Sequence, residues 1–302
     1  MDTSIWSVKH SPKNLNDVIF QDHRQKQKFQ SFIESKQIPH LMLSGIQGTG
    51  KTTLSKILVK ELMVNSGDVL KINCSDEKID AIRNKVVGFS ITLPIGDFKV
   101  IQLEEFDHLS IDAQALLRGL ISDSSESCRF IATCNYANKI MPPLKSRFQH
   151  FEFKAPDKEK IAFRMADILD AENVTFDPDN LLTYIDVAYP DIRQTIELIQ
   201  ANCHGNNLLP PGKSGSEFDW KFNLLNELGS GNFKVARKLV CENASKEEHE
   251  DIYRFLYENV DKMKVKDKDA AILVIAEYLY KHSIVTDTEI NLAACFISLG
   301  NA

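Results

Sequence analysis

Hydrophobic residues in the first half of the chain fall into two alternating textures. Short apolar runs, HLMLS (His40–Ser44), VLKIN (Val69–Asn73), KVIQL (Lys99–Leu103) and RFIATC (Arg129–Cys134), predict buried strands. Between them lie stretches such as KTTLSKILVKELMV (Lys51–Val64), whose apolar positions recur at helical spacing. Strands alternating with helices need crossover connections, so a parallel sheet in an α/β domain is expected. After KAPD (Lys154–Asp157) the texture becomes helical from Lys158 to Asn202, with Pro178 and Pro190 at helix starts or loops. HGNNLLPPGKSGSE (His204–Glu217) is rich in Gly, Pro, Asn and Ser and reads as a linker. Beyond it, 218–302 carries amphipathic helical patterns and few strand signals. The predicted division is an α/β domain over 1–154, a small helical domain over 155–203, a linker over 204–217 and a helical domain over 218–302.

Composition narrows this picture only a little. A length of 302 residues suits two or three domains, and 43% hydrophobic with 26% charged residues is ordinary for a globular protein. The net charge of −6 argues against a protein that coats DNA with its whole surface, yet leaves room for a local basic lining. The six cysteines are scattered with no Cys-x-x-Cys pair, which favours reduced structural thiols over a disulfide framework or zinc cluster. No apolar run reaches the roughly 18–20 residues that span a bilayer, and MDTSIWSVKHSP lacks the plan of a secretory signal. A cytoplasmic protein with no membrane partner is expected, in its own cell or in a host.

One loop carries specific chemistry. Gly45-Ile46-Gln47-Gly48-Thr49-Gly50-Lys51-Thr52 fits G-x-x-x-x-G-K-[ST], between a predicted strand and a predicted helix. Glycines let successive backbone N–H groups turn toward an anion, and the following helix presents its positive N-terminus. Lys51 is expected to reach the β- and γ-phosphates and the Thr52 hydroxyl to ligate Mg²⁺. Gly45, Gln47, Gly48, Thr49, Gly50, Lys51, Thr52 and Thr53 thus form the candidate ATP-binding set.

Hydrolysis needs an acidic pair closing a hydrophobic strand, one acid holding the metal through water and one polarising the attacking water. Val100-Ile101-Gln102-Leu103-Glu104-Glu105 supplies it, with Glu104 toward Mg²⁺ and Glu105 as general base. Glu104 stands where an aspartate is usual, one methylene longer. Taken alone, the pair also reads as two solvated acids at a strand end.

With these motifs in place the chain resembles the small ATPase subunits of sliding-clamp loaders, within the AAA+ superfamily. It is similar both to loader subunits of T-even-like phages and to replication factor C small subunits. LKSRFQHFEF (Leu144–Phe153) resembles the family's Ser-Arg-Cys motif, with Phe148 in place of cysteine. The resemblance implies that Arg147 enters a neighbouring subunit's ATP site as an arginine finger. IATCNYANKI (Ile131–Ile140) resembles the sensor-1 strand and implies that Asn135 orients water near the γ-phosphate. PDIRQTIELIQ (Pro190–Gln200) resembles the sensor-2 helix and implies a phosphate contact by Arg193, so that nucleotide draws two domains together. Each residue in isolation reads as a surface arginine or a turn-capping asparagine; the order and separations carry the resemblance.

Other segments match less fully. Trp6, Lys9 and Pro12 match the family's N-terminal motif, whose tyrosine and arginine are missing here, and Val18 and Ile19 fall on the segment that packs against adenine. SDEKIDAIRNKV (Ser75–Val86) resembles the helix facing primer-template DNA, so Arg83 and Lys139 are implied to grip template phosphates; ordinary exposed basic residues are the alternative. In DAQALLRGLISD (Asp112–Asp123), Gly119 and Ser122 replace a usual arginine and glutamate, with Arg118 and Asp123 beside them as stand-ins. Val86-Val87-Gly88-Phe89 reads equally as a clamp-docking run or as core.

The resemblance implies an AAA+ module, with a P-loop domain and helical lid, followed by an all-α collar. Its implied activity is ATP hydrolysis that opens, loads and releases a clamp at primer-template junctions. The implied partners are identical subunits, a distinct loader subunit in a pentamer-like ring, the sliding clamp and primed DNA, and T-even likeness adds viral DNA replication. Two alternatives stay open: another AAA+ remodeller such as a Holliday-junction motor, and a scaffold that holds ATP without turnover.

Overall fold

The computed structural model describes residues 4–20, 22–212 and 219–301. Residues 213–217 of the expected linker lie outside them. Five parallel strands form the main sheet: β1 (Leu41–Gly45), β2 (Val69–Asn73), β3 (Lys99–Glu104), β4 (Cys128–Cys134) and β5 (Gln149–Phe153), in the order β2-β3-β4-β1-β5. The four expected strands are present within a residue at each end. The fifth, β5, lies inside the Ser-Arg motif and was read there as a motif only; its alternation, with Phe151 and Phe153 among polar residues, is a strand signal.

Helices α1 (Trp6–Lys9), α2 (His23–Ser35), α3 (Lys51–Glu61), α4 (Ile79–Ser90), α5 (Ile111–Asp123) and α6 (Pro142–Lys145) accompany the sheet. Because successive strand residues point to opposite faces, one strand supplies two cores. Leu41 and Leu43 join Val100, Ile131 and Phe153 against α2 and α3, together with Phe29, Phe32, Leu54 and Leu58. Met42 turns to the other face, where Ile101, Leu103, Phe130 and Ala132 meet α4 and α5 through Ile82, Val86, Leu117 and Ile121. Covering both faces explains why the strands are nearly all apolar. In the Val86–Phe89 run Val86 is fully buried in this second core and Phe89 packs against it, while Val87 is exposed.

Further exposed apolar side chains come next, between α4 and β3. Ile91, Leu93 and Ile95 are 75%, 90% and 71% exposed. Two buried charges fix their loop. Lys99 donates to Phe89 O at 2.7 Å and also to Thr92, while the Asp68 carboxylate accepts from Ile95 N at 2.9 Å and Gly96 N at 2.7 Å. Buried charged groups are tolerated when hydrogen-bonded in this way.

The remaining helices are α7 (Lys158–Ala171), α8 (Pro178–Ala188), α9 (Ile192–Ala201), α10 (Asp219–Ser230), α11 (Phe233–Asn243), α12 (His249–Glu258), α13 (Lys268–His282) and α14 (Thr288–Leu299). Side-chain caps define several starts: Asp177 accepts from Asp179 N and Asn180 N, Asp267 from Asp269 N and Ala270 N, and Asp287 from Glu289 N and Ile290 N. Cys203–His204 pairs antiparallel with Asn207–Leu208 at the start of the Gly- and Pro-rich stretch. The chain divides into two compact units, Met1–Ile161 with Pro190–Arg193, and Ala162–Tyr189 with Gln194–Ala302. Within the second unit Tyr184 meets Phe222 edge-on at 5.0 Å, and Lys262 pairs with buried Asp186. Among the described residues no helix is long and apolar enough to cross a membrane.

Candidate active site

The phosphate loop sits where β1 must turn into α3 against a filled sheet. Gly45 has φ 137°, and a Cβ there would fall 1.9 Å from Phe153 O on neighbouring β5. Gly50, the N-cap of α3, has φ 88°, a region that L side chains avoid. These positions require glycine for backbone reasons, whatever the loop binds. Thr49 is buried and its hydroxyl donates to Ile46 O at 2.8 Å, fixing the turn from within.

Lys51, the first residue of α3, is buried and donates to Gly45 O at 2.8 Å and Ile46 O at 2.7 Å. Burial lowers its pKa to about 8, while Cys134, Asp107 and Asp191 oppose the shift. The amine is thus held by loop carbonyls within the electrostatic reach of acids on two other segments. The Asp191 carboxylate lies against the loop: a Cβ on Gly48 would fall 1.9 Å from its Oδ1. Arg193, two residues on, is exposed in the first turn of α9 and groups with the loop-bearing unit. Thr52 and Thr53 are half-buried behind Lys51, and Gln47 is exposed at the loop's tip.

At the end of β3, Glu104 is half-buried and Glu105 is exposed. Glu105 adopts φ 54° and ψ 44°, a left-handed backbone unusual outside glycine, and such strain collects at functional sites. Asp107, to which sequence reasoning gave no role, proves central. It is buried, and its Oδ2 accepts from Asn135 N at 3.3 Å and Tyr136 N at 3.0 Å, tying the end of β3 to the residues just past β4. Its Oδ1 is buried with no protein partner among the described residues. The signal was present as the third acid in Glu104-Glu105-Phe106-Asp107, but charge alone did not separate it from a solvated acid. Cys74 and Cys134 report the same pocket. Burial, then Glu77, Glu105, Asp107 and Glu104, push the Cys74 thiol up to about 12, and burial with Asp107 does the same for Cys134. Both thiols are therefore protonated and inert.

The structure brings Lys51 within electrostatic reach of Asp107 and Asp191, and Asp107 ties in the Asn135 backbone; several other expected residues stand apart from the loop. Val18 is buried in the α2–α3 core, with Ile19 half-buried beside it. Arg83 is exposed on α4, and exposed Lys139 lies 4.6 Å from the Tyr136 ring centroid. Arg147 follows α6 and bonds Ser122 on α5, not the loop. Gln114, absent from the sequence-level candidates, is buried on α5. Its amide donates to Lys139 O at 3.0 Å and accepts from Met141 N at 2.8 Å, joining α5 to the segment after β4. Nothing in the periodicity marks a buried glutamine.

This donor set fits a nucleoside triphosphate held with Mg²⁺. A turn of permissive glycines, a buried amine and a helix N-terminus suit phosphates. One hydroxyl at Thr52 and one carboxylate at Glu104 suit a hard cation that keeps most ligands from phosphate and water. Among the described residues no group of three or more His, Cys, Asp or Glu could hold a metal by itself.

Residues 41–155 match the family model for AAA, the ATPase family associated with various cellular activities. This stretch is similar to the AAA module. The chain is 39% identical over 201 residues to the replication factor C small subunit of Archaeoglobus fulgidus, covering 65% of this chain and 63% of that protein. The Sulfolobus acidocaldarius replication factor C small subunit is likewise 39% identical over 202 residues, covering 65% and 62%. The chain thus spans somewhat less than two thirds of the length of these relatives. Among solved structures, the RuvB Holliday junction branch migration motor of Thermotoga maritima superposes with a TM-score of 0.59 at 17% identity, covering 82% of this chain and 80% of that one. That likeness is one of fold alone.

Proposed function

We propose that the chain is the ATPase subunit of a sliding-clamp loader, using ATP binding and hydrolysis to open a clamp, load it at primer-template junctions and release it. The reading is carried by one observation: a chain with a complete phosphate loop and strand-end acid pair is 39% identical over 201 residues to a replication factor C small subunit. Three domains are proposed, an AAA+ ATPase domain over 1–154, a helical lid over 155–203 and a collar over 218–302 that joins subunits. Exposed Leu273, Tyr280, Ile290 and Ile297 on the adjoining helices α13 and α14 are the apolar side chains that further copies would bury in an oligomeric collar. Identical copies, a distinct loader subunit in a pentamer-like ring, the clamp and primed DNA are the proposed partners, and the cytoplasm is the proposed location.

Within this reading the loop N–H groups and Lys51 bind the phosphates, with Val18 and Ile19 beside the base and Arg193 completing the phosphate contacts. Mg²⁺, held by Thr52 and Glu104, neutralises charge on the phosphate oxygens when bound. Glu105 takes a proton from the attacking water, and Asn135 orients that water. Arg147 enters a neighbour's site, where its fixed positive charge stabilises the charge that develops in the transition state. Arg83 and Lys139 contact template phosphates without reading sequence. The loop bearing Ile91, Leu93 and Ile95 is the proposed clamp-docking element, since Lys99 and Asp68 hold it in one conformation before any partner arrives.

The test is turnover. Alone, the chain should hydrolyse ATP slowly, and clamp together with primed DNA should accelerate it at least about tenfold, or about 1.4 kcal/mol off the barrier. Fast turnover by verified monomers, or stimulation by DNA junctions with no response to a clamp, would overturn the proposal; the second result would favour a Holliday-junction motor instead.

A further inference from the structure

Arg147 is held by two acceptors on two helices. Its Nε donates to Ser122 Oγ at 2.9 Å and its Nη1 donates to Pro143 O at 2.6 Å. Ser122 stands in the last turn of α5, and its hydroxyl donates in turn to Arg118 O at 3.2 Å. Since a guanidinium can only donate, Ser122 must meet it with a lone pair, and spending its single proton on the Arg118 carbonyl leaves that lone pair facing Arg147. The negative end of the α5 dipole favours the cation at the same spot. These contacts occupy Nε and Nη1. Among the described residues Nη2, the far end of the fork, meets no acceptor.

We infer that Ser122 is a positioning residue for Arg147, fixing the guanidinium so that its outer edge is ready for a neighbour's phosphate. This rests on the proposed trans role of Arg147 and deepens it. Ser122 occupies a place where a glutamate is usual in the resembling family. A carboxylate there would meet Arg147 as a charge partner and spread its two oxygens over the fork. A hydroxyl holds the same nitrogen while leaving the full positive charge for the phosphoryl group. The arginine has several flexible torsions, and orienting it beforehand removes an ordering cost that would otherwise fall in the transition state.

The experiment separates the two halves of the shared site. Lys51→Ala subunits lack the phosphate-binding amine but keep Arg147, and Arg147→Ala subunits lack the finger but keep the loop. Mixed in the assembly with clamp, primed DNA and Mg-ATP, they should regain turnover where a finger meets a loop. Failure at this stage overturns the shared site itself, before Ser122 is touched, and this inference with it. Given a working mixture, Ser122→Ala is placed in one partner at a time. In the Lys51→Ala partner it should lower kcat about tenfold, the worth of one charge-assisted hydrogen bond, with KM for ATP unchanged. Ser122→Thr in that place should restore kcat to within about twofold. In the Arg147→Ala partner Ser122→Ala should change kcat less than about twofold, because no finger remains there to position. Equal losses in both placements would make Ser122 merely structural, and no loss in the finger donor would remove its role; either result overturns the inference.

Discussion

Asp107 offers a demanding test because its geometry predicts a graded response. Its Oδ2 accepts two backbone N–H bonds, from Asn135 and Tyr136, while its Oδ1 has no protein partner among the described residues. Asp107→Ala strands both N–H groups. A buried donor that loses its partner costs about 1–3 kcal/mol, and the 3.3 Å bond is the weaker of the two, so the gross loss is about 3–4 kcal/mol. Removing a buried carboxylate returns some desolvation energy, which leaves a net loss of about 3 kcal/mol or slightly less. Asp107→Asn keeps an oxygen for both N–H groups and turns its amide toward the unpartnered side, so it should lose about half as much. The chain holds two tryptophans, Trp6 in the loop-bearing unit and Trp220 in the other. In a Trp220→Phe background, Trp6 fluorescence follows the relevant unit alone. A loss of about 3 kcal/mol should lower its melting point by roughly 6–12 °C for a unit of this size. If Asn135 orients the attacking water as proposed, turnover should fall further than stability explains, because a small displacement of its backbone misaligns that water. Asp107→Ala melting within about 1 °C of the parent, or Asp107→Asn melting below Asp107→Ala, would refute the two-bond account.

Three further predictions address separate parts of the molecule. Lys51→Ala should abolish measurable ATP binding in a filter or fluorescence assay, and unchanged affinity would remove the loop from the active site. Arg83→Ala should weaken stimulation by primed DNA similarly on every sequence, because phosphate contacts carry no sequence information; a loss confined to some templates would contradict backbone gripping. His40 predicts an acid-sensitive fold. Burial, with Arg129 adding to it, lowers its pKa from 6.5 to about 4, and its Nδ1 accepts from Phe130 N at 3.1 Å. The unfolded chain therefore binds the extra proton first, so this contribution is complete above about pH 6.5 and is lost as pH falls through about 4. Urea midpoints should drop between pH 7 and pH 4.5, and His40→Gln should flatten that slope; parallel profiles would rule out His40 as its source.

Much of the fold was legible because parallel strands buried on both faces must be apolar along their whole length, and four of them announced themselves. The fifth hid in a segment already claimed by a motif: Gln149, Glu152 and His150 dilute its apolar content at the sheet edge. The phosphate loop was legible because its glycines answer to backbone sterics. The pull of Asp107 and Gln114 on the chain past β4 was not, since a polar residue that bonds distant backbone looks in sequence like one that faces water. Val86 shows the reverse: an apolar run equally suited to surface or core was placed by helical register, with Ile82 one turn earlier on the same buried face.

The clip formed by Lys99 and Asp68 has an evolutionary corollary. Both charges bind main-chain atoms of the segment that presents Ile91, Leu93 and Ile95, apart from one contact to the Thr92 hydroxyl, so the shape of that segment owes almost nothing to the identity of its outward-facing side chains. Those three positions can drift while the scaffold beneath stays put. Under the proposed docking role, lineages diverging in their replication machinery would exchange recognition at a handful of codons without renegotiating how the molecule folds.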